Sequence, residues 1–170
     1  MYLQISSCII HWELNLLPVV QSCRDLGITM TRDLSFSEHI NNTVFKAHQR
    51  ASAILRCFVS RNITLLLRAY LVYVRPLLEY NSTIWSPHYK YDIDAVERVQ
   101  QWFTKRLPGL SNYTYNERLI FLNISSLEQR RVRADLILCY KMLFVHLNIC
   151  SVDFFETWPA GITRGHPYKL

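Results

Sequence analysis

The spacing of apolar residues divides the chain into a short β-rich beginning and a long helical body. Up to about residue 34 the apolar positions alternate loosely and include β-branched runs, as in residues 16–20 and 26–30, and this pattern is typical of short strands. From Ser35 the apolar residues recur at steps of three and four, the period of an amphipathic helix. The pattern predicts a mainly α protein, a helical bundle with a small N-terminal β-hairpin element.

Helix boundaries are predicted from capping and breaking residues. A hydroxyl residue followed three positions later by Glu is the pattern of a capping box, which satisfies two unpaired backbone N–H groups. The pattern occurs before three of the predicted helices, at Ser35 and Glu38, at Thr114 and Glu117, and at Ser125 and Glu128. The first helix is predicted to end near Arg61, and Asn62 then caps a second helix that Pro76 interrupts. A third helix is predicted from Tyr91 to the Pro-Gly pair at 108–109.

Three segments follow from this reading. Residues 1–34 are predicted to be a β-rich remnant, residues 35–150 a helical domain, and residues 151–170, with two of the six prolines and two of the four glycines, a frayed tail or linker. Half of the 170 residues are hydrophobic, which argues against disorder and allows a sizeable core. The chain is therefore predicted to hold one principal domain.

Charge, cysteine usage and hydropathy narrow the cellular setting. A net charge of +6 is compatible with an anionic partner, and an ordinary basic surface explains it equally well. Five scattered cysteines without a CxxC pair, and no secretory pattern at the start, predict an intracellular protein that is not secreted. The most apolar stretch, residues 134–149, is interrupted by charged residues and is shorter than the roughly 20 residues of a membrane span.

The acidic residues do not form a pattern that supports metal-dependent chemistry. A polymerase needs two or three carboxylates that converge on metal ions, but no two of the six aspartates are adjacent. Asp92 and Asp94 do not share a helix face, and their position favours a role at the positive end of the helix. Cys8 and His11 have the spacing of half a zinc site, but no second half follows. No catalytic residue, metal site or cofactor is predicted, and the chain by itself is not predicted to be an enzyme.

Basic and aromatic residues carry the remaining chemical signal. Lysine and arginine on helices contact phosphates, and Trp85, Trp102 and Tyr113 either stack on bases or pack in the core. For each basic residue a solvated helix face or a structural ion pair is an equally good reading, and pairs of Glu79 with Arg75 and of Glu97 with Arg98 are expected. The basic residues concerned are Lys46, His48, Arg50, Arg56, Arg61, Arg98, Lys105, Arg106, Arg130, Arg131 and Arg133.

Several motifs of the chain occur in the order found in one family of enzymes. They are the segments 19–28 (VVQSCRDLGI), 33–40 (DLSFSEHI), 74–80 (VRPLLEY), 84–87 (IWSP), 96–100 (VERVQ), 103–106 (FTKR), 115–119 (YNERL) and 127–131 (LEQRR). Together they resemble the reverse transcriptase of non-LTR (LINE/jockey-like) retrotransposons, in the region C-terminal to the catalytic palm. The resemblance covers roughly residues 19–169, and residues 9–15 interrupt the hairpin expected before this match.

The resemblance implies a role in holding nucleic acid. In such enzymes a primer-grip strand supports the primer terminus, and a helical thumb follows the template–primer duplex through its backbone. The implied grip residues are Leu26, Gly27 and Ile28, and the implied thumb contacts are Lys46 and Arg50. Further implied contacts are Arg75, Arg98, Lys105, Arg130 and Arg131. The palm and fingers, with every metal-binding carboxylate, are absent, which excludes polymerisation by this chain alone.

The resulting hypothesis is a fragment of an RNA-directed DNA polymerase. It predicts residual, sequence-tolerant binding of an RNA–DNA or other template–primer duplex, dominated by phosphate contacts, and it names the missing palm and fingers as a further partner. Two alternatives stay open. One is a helical protein–protein interaction module, because a thumb without its palm exposes apolar surface. The other is a non-functional remnant of a mobile element.

Overall fold

The computed structural model describes residues 20–144, in which a two-stranded antiparallel sheet precedes seven helices. The elements are β1 (Ser22–Asp25), β2 (Ile28–Thr31), α1 (Ser37–Cys57), α2 (Ile63–Tyr73), α3 (Arg75–Glu79), α4 (Ser82–Trp85), α5 (Lys90–Lys105), α6 (Tyr115–Leu122) and α7 (Leu127–Leu143). The predicted mainly α fold with a small N-terminal hairpin is confirmed. Of the strand predicted at 16–20 only Val20 is described, and it is not in a strand. The Cys8–His11 pair and the tail at 151–170 lie outside the described residues.

The hairpin is closed by a two-residue turn. Asp25 pairs with Ile28 at the end of the ladder, so Leu26 and Gly27 form the turn. Both have positive φ, 45° and 87°, as a type I′ turn requires, and this turn matches the right-handed twist of the two strands. Ile28 of β2 is buried and belongs to the same hydrophobic core as the buried apolar residues of α1.

Helices α1 and α5 form the centre of the core. The apolar stripe of α1 includes Ala47 and Ala51, both with no exposed surface, and such small side chains allow the axis of α5 to approach closely. From α5, Val96 and Phe103 are equally buried. The ring of Phe103 stacks on Tyr70 of α2 at a centroid distance of 4.6 Å. The helical stripes predicted from the sequence therefore face one shared core.

The break between α2 and α3 follows from proline. The Asn62 side chain accepts hydrogen bonds from the backbone N–H groups of Thr64 (2.9 Å) and Leu65 (3.3 Å), which confirms it as the cap of α2. The helix ends before Val74, and Pro76 lies in the first turn of α3, where its missing N–H costs nothing. The interruption predicted at Pro76 is confirmed.

The capping box of α6 is confirmed, whereas α1 begins differently from the prediction. Thr114 and Glu117 bond to each other's backbone N–H groups. The cap residue of α1 is Phe36 and makes no side-chain bond, so the box predicted at Ser35 and Glu38 is wrong. The reason is tertiary, since Ser37 starts the helix and donates its hydroxyl to Asp92 of α5 at 2.9 Å. Helix α1 also ends at Cys57, four residues before the predicted end.

The start of α7 lies one residue later than predicted. Ser126, not Ser125, is the cap, and its side chain accepts from the N–H of Gln129. The carbonyl of Ser125 instead accepts from the amide of Gln100 on α5 at 3.0 Å. A contact from another helix therefore decides which serine caps.

Two further features concern the hydropathy and the cysteines of the described residues. None of their helices combines the length and the apolar character that a transmembrane span requires. Cys23, Cys57 and Cys139 are free thiols.

Candidate nucleic-acid interface

A groove of about 230 Å³ lies between the β1–β2 hairpin, α1 and α3. We call it the hairpin groove. It is lined by Arg24, Gly27, Thr29, His39, Asn42, Thr43, Lys46, Leu77 and Tyr80. The lining includes two residues that the retrotransposon resemblance singled out, Gly27 and Lys46, and it places them in one concave site.

The register of α1 places its polar residues in the hairpin groove. Four residues of α1 line the groove, and each has another of the four at a spacing of three or four positions, so they share one side of the helix. They are His39, Asn42, Thr43 and Lys46. The core stripe of α1 occupies a different side. Because β2 packs against α1, the hairpin brings Arg24 of β1 to the same groove as Lys46.

Side chains from α1 and α3 hold the hairpin turn in place. The backbone N–H of Thr29 donates to Nδ1 of His39 at 3.3 Å. The hydroxyl of Tyr80 donates to the backbone carbonyl of Leu26 at 3.1 Å. Gly27 lies against the same ring, since a Cβ at this position would be 3.7 Å from Cε1 of Tyr80. The groove is therefore fixed by hydrogen bonds before any ligand arrives.

The hairpin groove is positively charged. No carboxylate is among its described lining residues, and neither Arg24 nor Lys46 forms a salt bridge with another described residue. Burial lowers the pKa of His39, and the charges of Lys46 and Arg24 lower it further. His39 is thus held neutral between two cations, and Asn42 and Thr43 add neutral hydrogen-bond donors. This combination suits a phosphate group.

The predicted grip residues occupy three different positions. Leu26 stands at the tip of the turn with 76% of its surface exposed, Gly27 lines the groove, and Ile28 is buried beneath it. Leu26 and Gly27 therefore lie in the turn and not in a strand. Arg50 lies one turn after Lys46 and is exposed, and its guanidinium donates to the carbonyl of Tyr73 at 3.3 Å.

Arg75 and Arg130 lie in an ion-pair cluster around Glu79. Arg130 binds both carboxylate oxygens of Glu79, with Nη2 to Oε2 at 3.0 Å and a second bond from Nε. Arg75 lies 3.7 Å from the same carboxylate, which confirms the predicted pair. The hydrogen bonds that Arg130 donates to Glu79 raise the pKa of the Arg130 guanidinium. Both arginines hold α3 and α7 in place and are not among the residues that line the hairpin groove.

Arg131 is buried inside the bundle. Only 4% of its surface is exposed, and its two terminal nitrogens have no hydrogen-bond partner among the described residues. Burial lowers its pKa, while the nearby carboxylates, of which Glu97 is the strongest, oppose the shift. A buried guanidinium does not reach a phosphate without opening the core. We therefore leave Arg130 and Arg131 out of the proposed interface.

The remaining predicted contacts lie on α5. Arg98 and Lys105 are exposed and do not line the hairpin groove. The expected pair of Glu97 with Arg98 is wrong, because Glu97 points inward and binds Tyr115 and the start of α7.

The candidate aromatic residues take different positions. Trp85 has no exposed surface and donates its ring N–H to the carbonyl of Tyr80 at 2.7 Å, so its role is packing. Trp102 is half-buried, and Tyr113 is exposed.

Arg24, Asn42, Thr43 and Tyr80 are groove residues that the sequence reading did not single out. A helical step of four from Lys46 back to Asn42 is a signal that would have found one of them. Arg24 and Tyr80 could not be identified as groove residues from the sequence, because the packing of the hairpin on α1 and α3 brings them there and no local sequence pattern predicts that packing.

Comparison with known proteins gives one relative of unknown role. No family model and no solved structure matches the chain. An uncharacterized protein of Caenorhabditis elegans is 32% identical over 133 residues, a segment that covers 76% of this chain and 64% of the relative. The chain thus matches less than two thirds of the length of this relative. The resemblance to reverse transcriptases stays a prediction, and the geometry of the hairpin groove is the basis for the proposal below.

Proposed function

We propose that this chain is the primer-grip and thumb region of a non-LTR retrotransposon reverse transcriptase, and that it binds template–primer duplex through the hairpin groove. The observation that carries the proposal is the position of Arg24 on the hairpin and Lys46 on α1 in one groove without a carboxylate. In this proposal the chain has no catalytic activity of its own and uses no metal or cofactor. It acts inside the cell, and the free thiols of the described cysteines support that setting.

The size of the groove favours the duplex backbone as the ligand. A volume of about 230 Å³ accommodates a phosphate and its sugar but not the width of a helix. An RNA–DNA duplex would therefore lie across the hairpin and α1 and place one strand's phosphates in the groove. Contacts of this kind fix the position of a duplex and carry no sequence information. Sequence-tolerant binding that weakens with salt follows from this arrangement.

The hairpin tip adds a second argument. Leu26 has φ of 45°, a conformation that costs a non-glycine residue about 1–2 kcal/mol. Its apolar side chain is also largely exposed, so neither local conformation nor core packing favours leucine here. A contact between Leu26 and the sugar edge of a bound strand provides a physical reason for this residue.

The test is fluorescence anisotropy of a labelled blunt RNA–DNA duplex, titrated at several salt concentrations. We compare the wild type with the pair Arg24→Glu and Lys46→Glu, and with a control pair, Arg61→Glu and Arg133→Glu. All four side chains are exposed, and the control residues lie outside the groove lining. The groove pair should lose at least about tenfold more affinity than the control pair. Equal losses for the two pairs, with helicity unchanged by circular dichroism, would overturn the proposal.

A second candidate function is a protein-interaction module. It is favoured by exposed apolar residues on successive turns of α7, Val132, Leu136 and Ile137, with exposed fractions of 54%, 65% and 46%. The palm of the parent enzyme is the partner that this function implies. Substitution of Leu136 by Glu should then abolish binding of a purified palm–fingers fragment and leave duplex affinity unchanged, whereas loss of duplex affinity would count against this second function.

A further inference from the structure

A second basic surface lies on α1 and α5 and plays no part in the proposed duplex contact. On α1 it is an open depression of about 600 Å³ lined by Phe45, His48, Gln49, Ser52 and Arg56. We call this depression, together with Arg98 and Trp102 of α5 and Arg106 just after that helix, the α1–α5 patch. Phe45 and Lys46 are neighbours in sequence, so the patch and the hairpin groove occupy adjoining sides of the same helix.

Contacts between His48 and Trp102 join the two helices of the patch. The ring of Trp102 meets His48 edge-on, with centroids 5.4 Å apart and an interplanar angle of 88°. The guanidinium of Arg106 lies over Trp102, 4.0 Å from the ring centroid. Burial lowers the pKa of His48, and the charges of Arg106 and Arg98 lower it further. Arg98 lies one helical turn before Trp102, so the two side chains share one side of α5.

The charge of the α1–α5 patch is not neutralised within the part of the chain that the structure describes. Arg56, Arg98 and Arg106 are exposed, and none of them is in a salt bridge with another described residue. None of the described residues that line the depression carries a carboxylate. A ligand that fits this surface carries negative charge.

The exposed ring of Phe45 narrows the class of ligand. This ring has 62% of its surface exposed, whereas Arg106 covers one face of Trp102. An aromatic ring beside guanidinium groups binds unpaired nucleotides, with the base on the ring and the phosphate on the cation. Bases inside a duplex are already stacked and do not reach such a ring. An anionic membrane surface fits less well, because the lining contains a single apolar side chain.

We propose that the α1–α5 patch binds single-stranded nucleic acid, with a base stacked on Phe45 and phosphates on Arg98 and Arg106. The strand continues from the hairpin groove around α1, so a duplex with a single-stranded overhang occupies both surfaces. The single-strand site stands on the patch geometry alone. The continuous path rests on the proposed function of the groove.

The single-strand site is tested with two labelled oligonucleotides, one of ordinary bases and one with the same backbone but abasic positions. The wild type should bind the ordinary strand about tenfold more tightly. Phe45→Ala should bind both strands equally, since this exposed side chain provides the stack and its removal leaves the core intact. Arg98→Glu should weaken both strands to a similar degree. A wild type that does not distinguish the two strands, or a Phe45→Ala variant that still does, would overturn the inference.

The same variants separate this inference from the proposed function. With a blunt duplex, Lys46→Glu should lose affinity and Phe45→Ala should keep it. With an overhang, the wild type should gain affinity over the blunt duplex, and Phe45→Ala should not. If Lys46→Glu leaves blunt-duplex binding unchanged, the proposal for the hairpin groove fails. The comparison of ordinary and abasic strands still tests whether the α1–α5 patch binds single strands. If the overhang adds no affinity, the continuous path is wrong.

Discussion

Glu97 of α5 caps the start of α7 from a distance of thirty residues along the chain, with its Oε1 accepting from the backbone N–H of Leu127 at 3.2 Å. Its Oε2 accepts from the N–H of Glu128 at 3.1 Å. The first N–H groups of a helix have no partner within the helix, and a negative charge beside them is favourable. One carboxylate therefore satisfies two donors and fixes α7 against α5.

The cap belongs to a buried chain of polar contacts. The hydroxyl of Tyr115 donates to Glu97, and Gln100 donates to that hydroxyl at 3.0 Å. The hydroxyl of Tyr70 in turn donates to Gln100 at 3.3 Å. Burial and the Glu97 carboxylate raise the pKa of Tyr115, so its hydroxyl stays protonated. These contacts connect α2, α5, α6 and α7 through the core.

Replacement of Glu97 by Ala should lower the free energy of unfolding by about 3 kcal/mol, because it leaves the buried N–H of Leu127, the part-buried N–H of Glu128 and a tyrosine hydroxyl without an acceptor. Urea denaturation followed by circular dichroism measures the change. Glu128→Ala is the control, since this carboxylate is exposed on the first turn of α7, and its effect should stay within about 0.5 kcal/mol. Equal midpoints for the two variants would contradict the capping role.

Arg130→Ala should cost about 0.5–1 kcal/mol of stability and leave duplex affinity unchanged. The side chain is 38% exposed, so solvent screens its pair with Glu79. Arg130→Lys keeps the charge opposite Glu79 but not the two-pronged geometry, so it should lose less stability than Arg130→Ala. A loss of duplex affinity in Arg130→Ala without a loss of stability would show that Arg130 contacts nucleic acid.

Stability should fall as the pH is lowered from about 7 to about 5. The pKa of His39 lies below 6.5 in the folded chain because burial and the charges of Lys46 and Arg24 oppose protonation. The unfolded chain therefore binds the proton first. The contribution is full above pH 6.5 and is lost as the pH falls towards the folded pKa. His39→Gln should reduce the pH dependence of the urea midpoint, and an unchanged dependence would assign the effect to other groups.

Leu26→Asn should raise stability by about 0.5–1 kcal/mol and weaken duplex binding. Asparagine tolerates the positive φ of the turn, but it lacks the apolar contact proposed for the strand. Leu34 provides the control, with φ of 57° and 70% of its surface exposed, at a position outside the groove lining. Leu34→Asn should gain similar stability and keep its affinity. Unchanged affinity in Leu26→Asn would remove the hairpin tip from the interface.

The helical architecture could be predicted because its signals are local. Asn62 and Thr114 cap helices through bonds to residues within three positions. The misplaced helix starts have non-local causes, since Ser37 bonds to Asp92 on α5 and the carbonyl of Ser125 bonds to Gln100. A capping pattern predicts that a helix begins nearby, but the residue at which it begins depends on contacts with a neighbouring helix.

The basic residues of α7 are an example of candidate site residues whose role was not predicted correctly from the sequence. Arg131 lies four residues after the buried Leu127, so helical spacing alone placed it on the inward side. Three arginines within residues 130–133 are typical of an exposed helix face, and this pattern favours an exposed Arg131 in spite of its spacing from Leu127. Lys46 was identified through the family resemblance, whereas Arg24 needed the packing of the hairpin on α1.

The short helix α3 gives the molecule a mechanical coupling. Its last residue, Glu79, binds Arg130 of α7, and the next residue, Tyr80, binds the carbonyl of Leu26 in the hairpin turn. Two adjacent residues thus hold opposite ends of the described chain. Because Glu79 and Tyr80 share a peptide bond, a displacement of α7 that moves Glu79 would also move Tyr80, which lines the hairpin groove.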